Sequence, residues 1–368
     1  MGLLLTDDEK MLQESAEGFF TDKAPVSQIR ALRDGRDATG FSKQLWAEMA
    51  EMGFTSVLVP EAHDGVDMGF MAAGLLAEQM GRNLSASPFL STSVLAATAL
   101  KQAGAKHAAK LLPQIANGQT LIALAVDEGG KHNPDSIALT ASPSGNGFKL
   151  NGNKSMVVDG HKADQIIVAA RTDEGLTLFI VPADANGLET ERTIMVDSRN
   201  AARMVFDDVE VTGEQVLGEV DKGADILNVV LNAGRAVLAA EMLGASAKTF
   251  ELTNDYLKER KQFGRIIGEF QALQHRMAHL YCEIELARTS VLAALSALDN
   301  NPKSAGPFVS MAKAKLGSVA KLAALESVQL HGGMGMTDEL DIGLYLKRIR
   351  VAQELFGDSA YHIEQIGK

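Results

Sequence analysis

The stretch KERKQFGRIIGEFQALQHRMAHL, residues 258–280, decides how this chain is read. Arg260 closes one helical pattern, Gly264 and Gly268 interrupt it, and a second pattern opens near Gln271. Glycine frees the backbone at such a junction, and the helix that follows presents N–H groups with no intrahelical partner. An arginine fork beside those groups matches phosphate oxygens, so the junction suits a polyanion. A surface arginine next to a helix cap is the plainer reading, and spacing alone favours it.

At 368 residues the chain exceeds one comfortable core and divides into two or three domains. Its apolar share of 46% is that of an ordinary globular protein. A net charge of -12 argues against nucleic acid or an anionic membrane surface as partner, since both reward a basic face. The single cysteine, Cys282, has no partner for an internal disulfide, which suits a reducing compartment. The opening MGLLLTDDEKMLQES lacks the basic and apolar regions of a secretory signal, and no membrane span is expected. The cytoplasm is the expected location.

Residues 1–118 read as a helical domain. TDDEKMLQESAEGFF, residues 6–20, opens with Thr6 as N-cap ahead of an acidic first turn, and FSKQLWAEMAEMGF, residues 41–54, repeats the helical period. Residues 119–220 change texture to short β-rich runs such as DQIIVAAR and LTLFIVPA. Asn151-Gly152 and Asp173 to Gly175 are the turn signals between them. A sandwich or small barrel is expected there. Residues 221–368 return to four long helical patterns, near 226–260, 269–298, 307–330 and 344–366, which predict a bundle.

Several residues invite a chemical reading. QLHGGMGM, residues 329–336, follows a helix and not a strand, so it is no dinucleotide fingerprint. Its Gly332 and Gly333 either let backbone approach a ligand or simply turn the chain between helices. His275 and His279 share a helix face, but nothing completes a metal site around them, and no metal is expected. Glu241 is the most informative residue. In AGRAVLAAEMLGASA, residues 233–247, the only charges are Arg235 and Glu241. A helix apolar on all sides is buried, and a buried carboxylate needs a partner, a shifted pKa or a task. Six residues place Arg235 about 120° away around the helix, which disfavours a pair within it. The carboxylate therefore either bridges to another helix or does chemistry.

The strings VPEAHDG, LLAEQMGR, YLKERKQFGRIIGEFQALQHRMA and QLHGGMGMT, arranged around a central β-module, resemble the acyl-CoA dehydrogenases over essentially the whole chain. The resemblance implies a multi-domain α+β fold: an N-terminal helical domain, a middle β-barrel domain and a C-terminal four-helix bundle. It implies an FAD cofactor and an acyl-CoA thioester substrate, with the α-proton passing to a carboxylate base and the β-hydride to flavin. By the same resemblance Arg260 holds the FAD pyrophosphate, with Phe263 and Gln271 around it across a subunit interface. Gln329, Gly332 and Gly333 line the adenosine side. An electron-transferring flavoprotein is the implied acceptor. The implied assembly is a homodimer, a homotetramer, or a heterotetramer with a second chain of the same kind.

The departures from the family pattern are as telling. Where members carry a TEPGxGSD-like loop and a W-I-T strand against the flavin ring, this chain reads VDEGGKHNPDS from Val126 and MVVDGHKA from Met156, with Met156 and Val158 for the tryptophan and threonine. The glutamate of the Y-E-G-T string is Gly357 in FGDS, where Ser359 takes the threonine's place, and the alternative base position is Gly234. Both usual bases are absent. Glu241, about two turns beyond Gly234 on the same face, becomes the expected base. Asp358 is the runner-up, and Gly234 and Arg235 are expected at the substrate.

The AAE-x-LG and LFGD pair resembles a branch that includes the small subunit of pimeloyl-CoA dehydrogenase and enzymes acting on steroid side chains, so a bulky, branched or dicarboxylic acyl group is expected. Two alternatives stand beside that expectation. One is a non-catalytic or half-site subunit of a heteromeric enzyme. The other is different flavin chemistry on the same fold, of the oxygenase or nitroalkane oxidase type.

Overall fold

The structure, a computed structural model, describes residues 4–367. Six helices come first: α1 (Asp7–Lys23), α2 (Val26–Asp34), α3 (Lys43–Glu51), α4 (Gly69–Asn83), α5 (Ala97–Ala103) and α6 (Ala105–Ala116). Eight strands follow: β1 (Ile122–Ala125), β2 (Thr140–Ser144), β3 (Gly147–Val158), β4 (Gln165–Arg171), β5 (Leu176–Pro182), β6 (Leu188–Ile194), β7 (Asn200–Thr212) and β8 (Val216–Leu217). The remainder is α7 (Gly223–Glu259), a small hairpin of β9 (Lys261–Gln262) and β10 (Arg265–Ile266), α8 (Gln271–Asn300), α9 (Gly306–His331), α10 (Ile342–Glu354) and α11 (Ser359–Ile366). Thr6 caps α1 as expected. Its hydroxyl accepts from Glu9 N–H, and the Glu9 carboxylate accepts from Thr6 N–H, a complete capping box.

These elements pack as two compact units. One holds the chain up to Ala31, Phe70–Ser85 and everything from Arg235 onward, and the other holds Leu32–Gly69 and Ala86–Gly234. In the second unit the strands form one eight-stranded sheet in the order β6-β7-β3-β2-β4-β5-β8, with β1 parallel to β4. The expected middle β domain is thus one sheet of eight strands. Asp173 to Gly175 does turn β4 into β5, closed by Thr172 N–H on the Gly175 carbonyl. Asn151-Gly152 does not turn the chain. It lies inside the long β3, where Gly152 (φ 140°) accompanies a register shift against β7. The extra residue of this bulge is on β7, where Asp207 and Asp208 (φ 50°) stand against the single Asn151.

Helix α7 runs for 37 residues, and 89% of its apolar window is buried, so it is a core helix even though its length and composition would suit a membrane. The expected fourth bundle helix is two. It breaks between Glu354 and Ser359, where Phe356 (φ 58°) and Gly357 (φ 105°) adopt consecutive positive-φ conformations.

Helices α4 and α7 cross with their backbones in contact. A Cβ on Gly81 would lie 2.0 Å from the Glu241 carbonyl oxygen, and one on Gly244 would lie 1.9 Å from that of Glu78. No side chain fits at either position. Gly244→Ala is therefore expected to cost about 1–3 kcal/mol by forcing the helices apart. Gly18→Ala on α1, where nothing stands within 4 Å, should instead gain roughly 1 kcal/mol of helix propensity. Urea unfolding of both variants checks the contrast, and two equal shifts would contradict it.

Candidate functional site

The junction after α7 forms an open cradle of about 550 Å³. Its walls come from Tyr256, Arg260 and Gln262 at the end of α7, Leu273 and Arg276 on α8, and Gln329 through Met334 after α9. The α7–α8 connection is the β9–β10 hairpin, whose tip is Phe263 (φ 53°) and Gly264 (φ 80°). Two consecutive positive-φ residues make the tight turn that suits such a hairpin. The tip leaves the Phe263 ring 91% exposed, while Arg265 stacks on Phe270 with its guanidinium 4.4 Å from the ring. Arg260, Gln271 and Gln329 are exposed as well. His331, buried beneath, stacks on Tyr256 with centroids 4.3 Å apart and engages the Ser327 carbonyl through Nδ1.

The glycines of QLHGGMGM separate into two cases. Gly332 has a positive φ of 59°. Gly333 has neither a positive φ nor a neighbour that a Cβ would meet within 4 Å. The chain's own packing therefore gives no reason for glycine at 333, whereas close approach of a bound molecule does. Arg260, Gln329 and the bare backbone at 332–333 form a donor set that suits a phosphate-bearing nucleotide, so the residues fit FAD.

In the second unit the Val126 to Ser136 loop borders a separate hollow of about 520 Å³. Buried Lys154 on β3 pins this loop by donating to the Val126 carbonyl at 3.0 Å and to Glu128 at 2.7 Å. Glu128 also accepts from Ala138 and Leu139 N–H. Burial raises the Glu128 carboxyl, but these donors outweigh it and hold the group below the ordinary carboxylate value. Burial pushes Lys154 down, with Glu128 resisting. Asp127 engages His132 at 2.8 Å, and Ser155 Oγ donates to the Gly129 carbonyl. Met156 (φ 52°) is 40% exposed beside this loop, and Val158 is half-buried.

The expected chemistry near 241 and 357 meets a different arrangement. Both Glu241 oxygens accept from Arg348 on α10, Oε1 from Nε and Oε2 from Nη2, each at 2.8 Å, with both residues buried. This is the interhelical bridge that the apolar helix allowed. Asp358 Oδ1 accepts from Tyr361 N–H and caps α11. Ser359 Oγ donates to the Ala314 carbonyl and sits where a Cβ on Gly317 would lie, 2.1 Å away. Arg235 is buried next to Gly234, donating to the Phe356 carbonyl at 3.0 Å and to the Tyr361 hydroxyl at 3.1 Å.

Sequence reasoning missed Lys313. Its ammonium is buried on α9 and donates to the carbonyls of Gln353 and Gly357 at 3.0 and 2.9 Å. Burial pushes its pKa down to about 7, with Arg235 adding to the shift and Glu354 and Asp358 opposing it. A lysine inside a small-residue helix was the available signal. His275, His279 and Cys282 all lie exposed on α8.

Two outcomes follow for stability. Arg348→Met strands the buried Glu241 carboxylate and should cost about 3–5 kcal/mol, whereas Glu241→Met with Arg348→Leu removes both charges and should cost far less. Thermal unfolding of the two variants decides, and equal losses would contradict the bridge. For Lys313 the unfolded chain keeps the proton to about pH 10.4, while the folded chain releases it near 7. Between those values the unfolded state binds more protons, so wild-type stability should rise with pH relative to Lys313→Met by up to about 1.4 kcal/mol per unit. A difference flat from pH 7 to 10 would contradict the buried ammonium.

Family models for the acyl-CoA dehydrogenase N-terminal, middle and C-terminal domains match residues 6–119, 123–209 and 221–368. A curated relative, the short/branched chain specific acyl-CoA dehydrogenase of Rattus norvegicus, is 27% identical, covering 99% of this chain and 85% of its own. The caffeyl-CoA reductase-Etf complex subunit CarC of Acetobacterium woodii is 27% identical, covering 95% and 94%. Among solved structures, a variant of the steroid ACAD Tcur3481-Tcur3483 is 31% identical with a TM-score of 0.90, covering 98% of this chain and 97% of that one. With all three domain models matched in order along the chain, the protein belongs to the acyl-CoA dehydrogenase family.

Proposed function

We propose that this chain is one FAD-holding subunit of a heteromeric acyl-CoA dehydrogenase acting on a bulky acyl group, with the proton-accepting carboxylate supplied by a second, homologous chain. One observation carries the reading. Both family base positions are glycine, Gly234 and Gly357, while Glu241 is held on both oxygens by Arg348 and Asp358 is spent as a helix cap. A carboxylate gripped by an arginine fork is a weaker proton acceptor than a solvated one, because the nearby cation favours its charged form.

Arg260, Gln329 and the open backbone at Gly332 and Gly333 would hold the FAD phosphates and adenosine. Exposed Phe263 and Gln271 would reach the cofactor of the neighbouring subunit. Val126, Met156 and Val158 would border the flavin ring, with Lys154 and Glu128 fixing their loop. When bound, FAD supplies the acceptor for the β-hydride. Gly234 and Arg235 would lie along the acyl group, and Arg235 fixes the Phe356–Gly357 turn through the Phe356 carbonyl. One named relative supports the bulky-substrate and two-chain readings, being a steroid ACAD with a paired name. CarC, a subunit of a reductase-Etf complex, supports an electron-transferring flavoprotein as redox partner. An exposed Cys282 thiol fits a reducing cytoplasm.

A second reading keeps Glu241 as the base, favoured by its place on the face of Gly234. The two readings part under anaerobic mixing with branched and ring-bearing acyl-CoA esters, followed by flavin absorbance. The half-site reading expects the isolated chain to stay yellow and a co-expressed homologous chain to restore bleaching. Bleaching by the isolated chain that Glu241→Gln abolishes would overturn it.

A further inference from the structure

The turn between α10 and α11 is held from several sides. Lys313 takes the Gln353 and Gly357 carbonyls, and Arg235 takes that of Phe356. Inside this frame a Cβ at position 357 would lie 2.4 Å from Tyr361 Cδ1, and 3.0 Å from both Tyr361 Cε1 and His362 Nε2. Real side chains do not approach at 2.4 Å, so one of the two must move.

The Tyr361 ring is not free to do so. Arg235 donates to its hydroxyl and lies over its face, 5.3 Å from the centroid. The His362 ring packs edge-on against it, with centroids 5.1 Å apart and planes at 89°. His362 is itself fully buried. Its Nε2 faces the Phe356 carbonyl at 3.1 Å, which makes that nitrogen the donor and leaves Nδ1 to accept from Ser310 Oγ at 3.3 Å. The start of α11 cannot slide either, because Asp358 caps it through Tyr361 N–H.

We propose that Tyr361 bars any side chain, and with it the family's proton-abstracting glutamate, from position 357. The exclusion stands on geometry alone, while its catalytic meaning rests on the reading of 357 as a base position. Two changes, not one, are then needed to readmit a carboxylate. The loss of the base is built into the packing of α11 and is more than a single substitution.

The backbone contributes separately. At φ 105° any residue other than glycine is strained, whatever stands nearby. A double-mutant cycle removes that contribution, because it is common to both backgrounds. The cycle compares melting temperatures of the full chain as wild type, Gly357→Ala, Tyr361→Ala and the double variant.

Gly357→Ala is expected to lower the melting temperature by roughly 5 °C or more with Tyr361 present, and by less than half as much with Tyr361→Ala. An equal loss in both backgrounds would overturn the proposal, as would no loss at all. Failure of Gly357→Ala to fold, with recovery in the double variant, is the predicted result in extreme form. Failure in both backgrounds counts against it. The cycle reads stability only, so it stands or falls apart from the flavin experiments that test the half-site reading.

Discussion

Everything in the α-helical unit is arranged around the place where α4 and α7 touch backbone to backbone. Gly81 and Gly244 permit that approach, each facing a carbonyl of the other helix. Once the two helices are this close, their neighbouring side chains have few directions open. Arg82 reaches Glu251 with both contacts under 3 Å, the Tyr345 hydroxyl donates to the Arg82 carbonyl, and Glu78 takes Arg288 from α8 at 2.6 Å. Glu241, whose own carbonyl forms part of the crossing, sends its carboxylate to Arg348. One close contact thus ties α4, α7, α8 and α10 into a single frame. Buried pairs of this kind fix geometry more than they add stability, because each ion gives up its hydration.

That frame fixes the far end of α10. A helix C-terminus carries unsatisfied carbonyls and a partial negative charge, which cations offset. Lys313 and Arg235 fill this role from α9 and α7, and His362 adds a further donor. The turn after α10 is a densely held cap, with Tyr361 in the space that a side chain at 357 would need. Positive charge, positive φ and an aromatic ring converge at 357. The positive φ favours glycine there, and the ring leaves a side chain no space.

Local signals were legible in the sequence, and long-range partners were not. The Thr6 cap, the Asp173 to Gly175 turn and the buried character of α7 could be read because each is decided within a few residues. Asn151-Gly152 misled, since the dipeptide that favours a tight turn also tolerates a bulge inside a long strand. The split of the last helix was hidden because Phe356, not a glycine, takes the first positive-φ position. For Glu241 the sequence stated the requirement, a partner or a task, without naming Arg348, which lies 107 residues further on. Arg260, Gln329 and Gly333 line one cradle, because their motifs sit at adjoining helix ends. Lys313 escaped notice because a lysine in a helix reads as solvent-exposed until its neighbours are known.

On the half-site reading, no carboxylate among the described residues is placed to take the substrate's α-proton. Incubating the purified chain with an acyl-CoA ester in deuterated buffer, and following α-carbon deuterium by mass spectrometry, tests it without requiring hydride transfer. No enzyme-dependent exchange is expected from the chain alone, and exchange is expected once a homologous second chain is added. Rapid exchange by the chain alone, lost in Glu241→Gln, would contradict it and return Glu241 to the role of base.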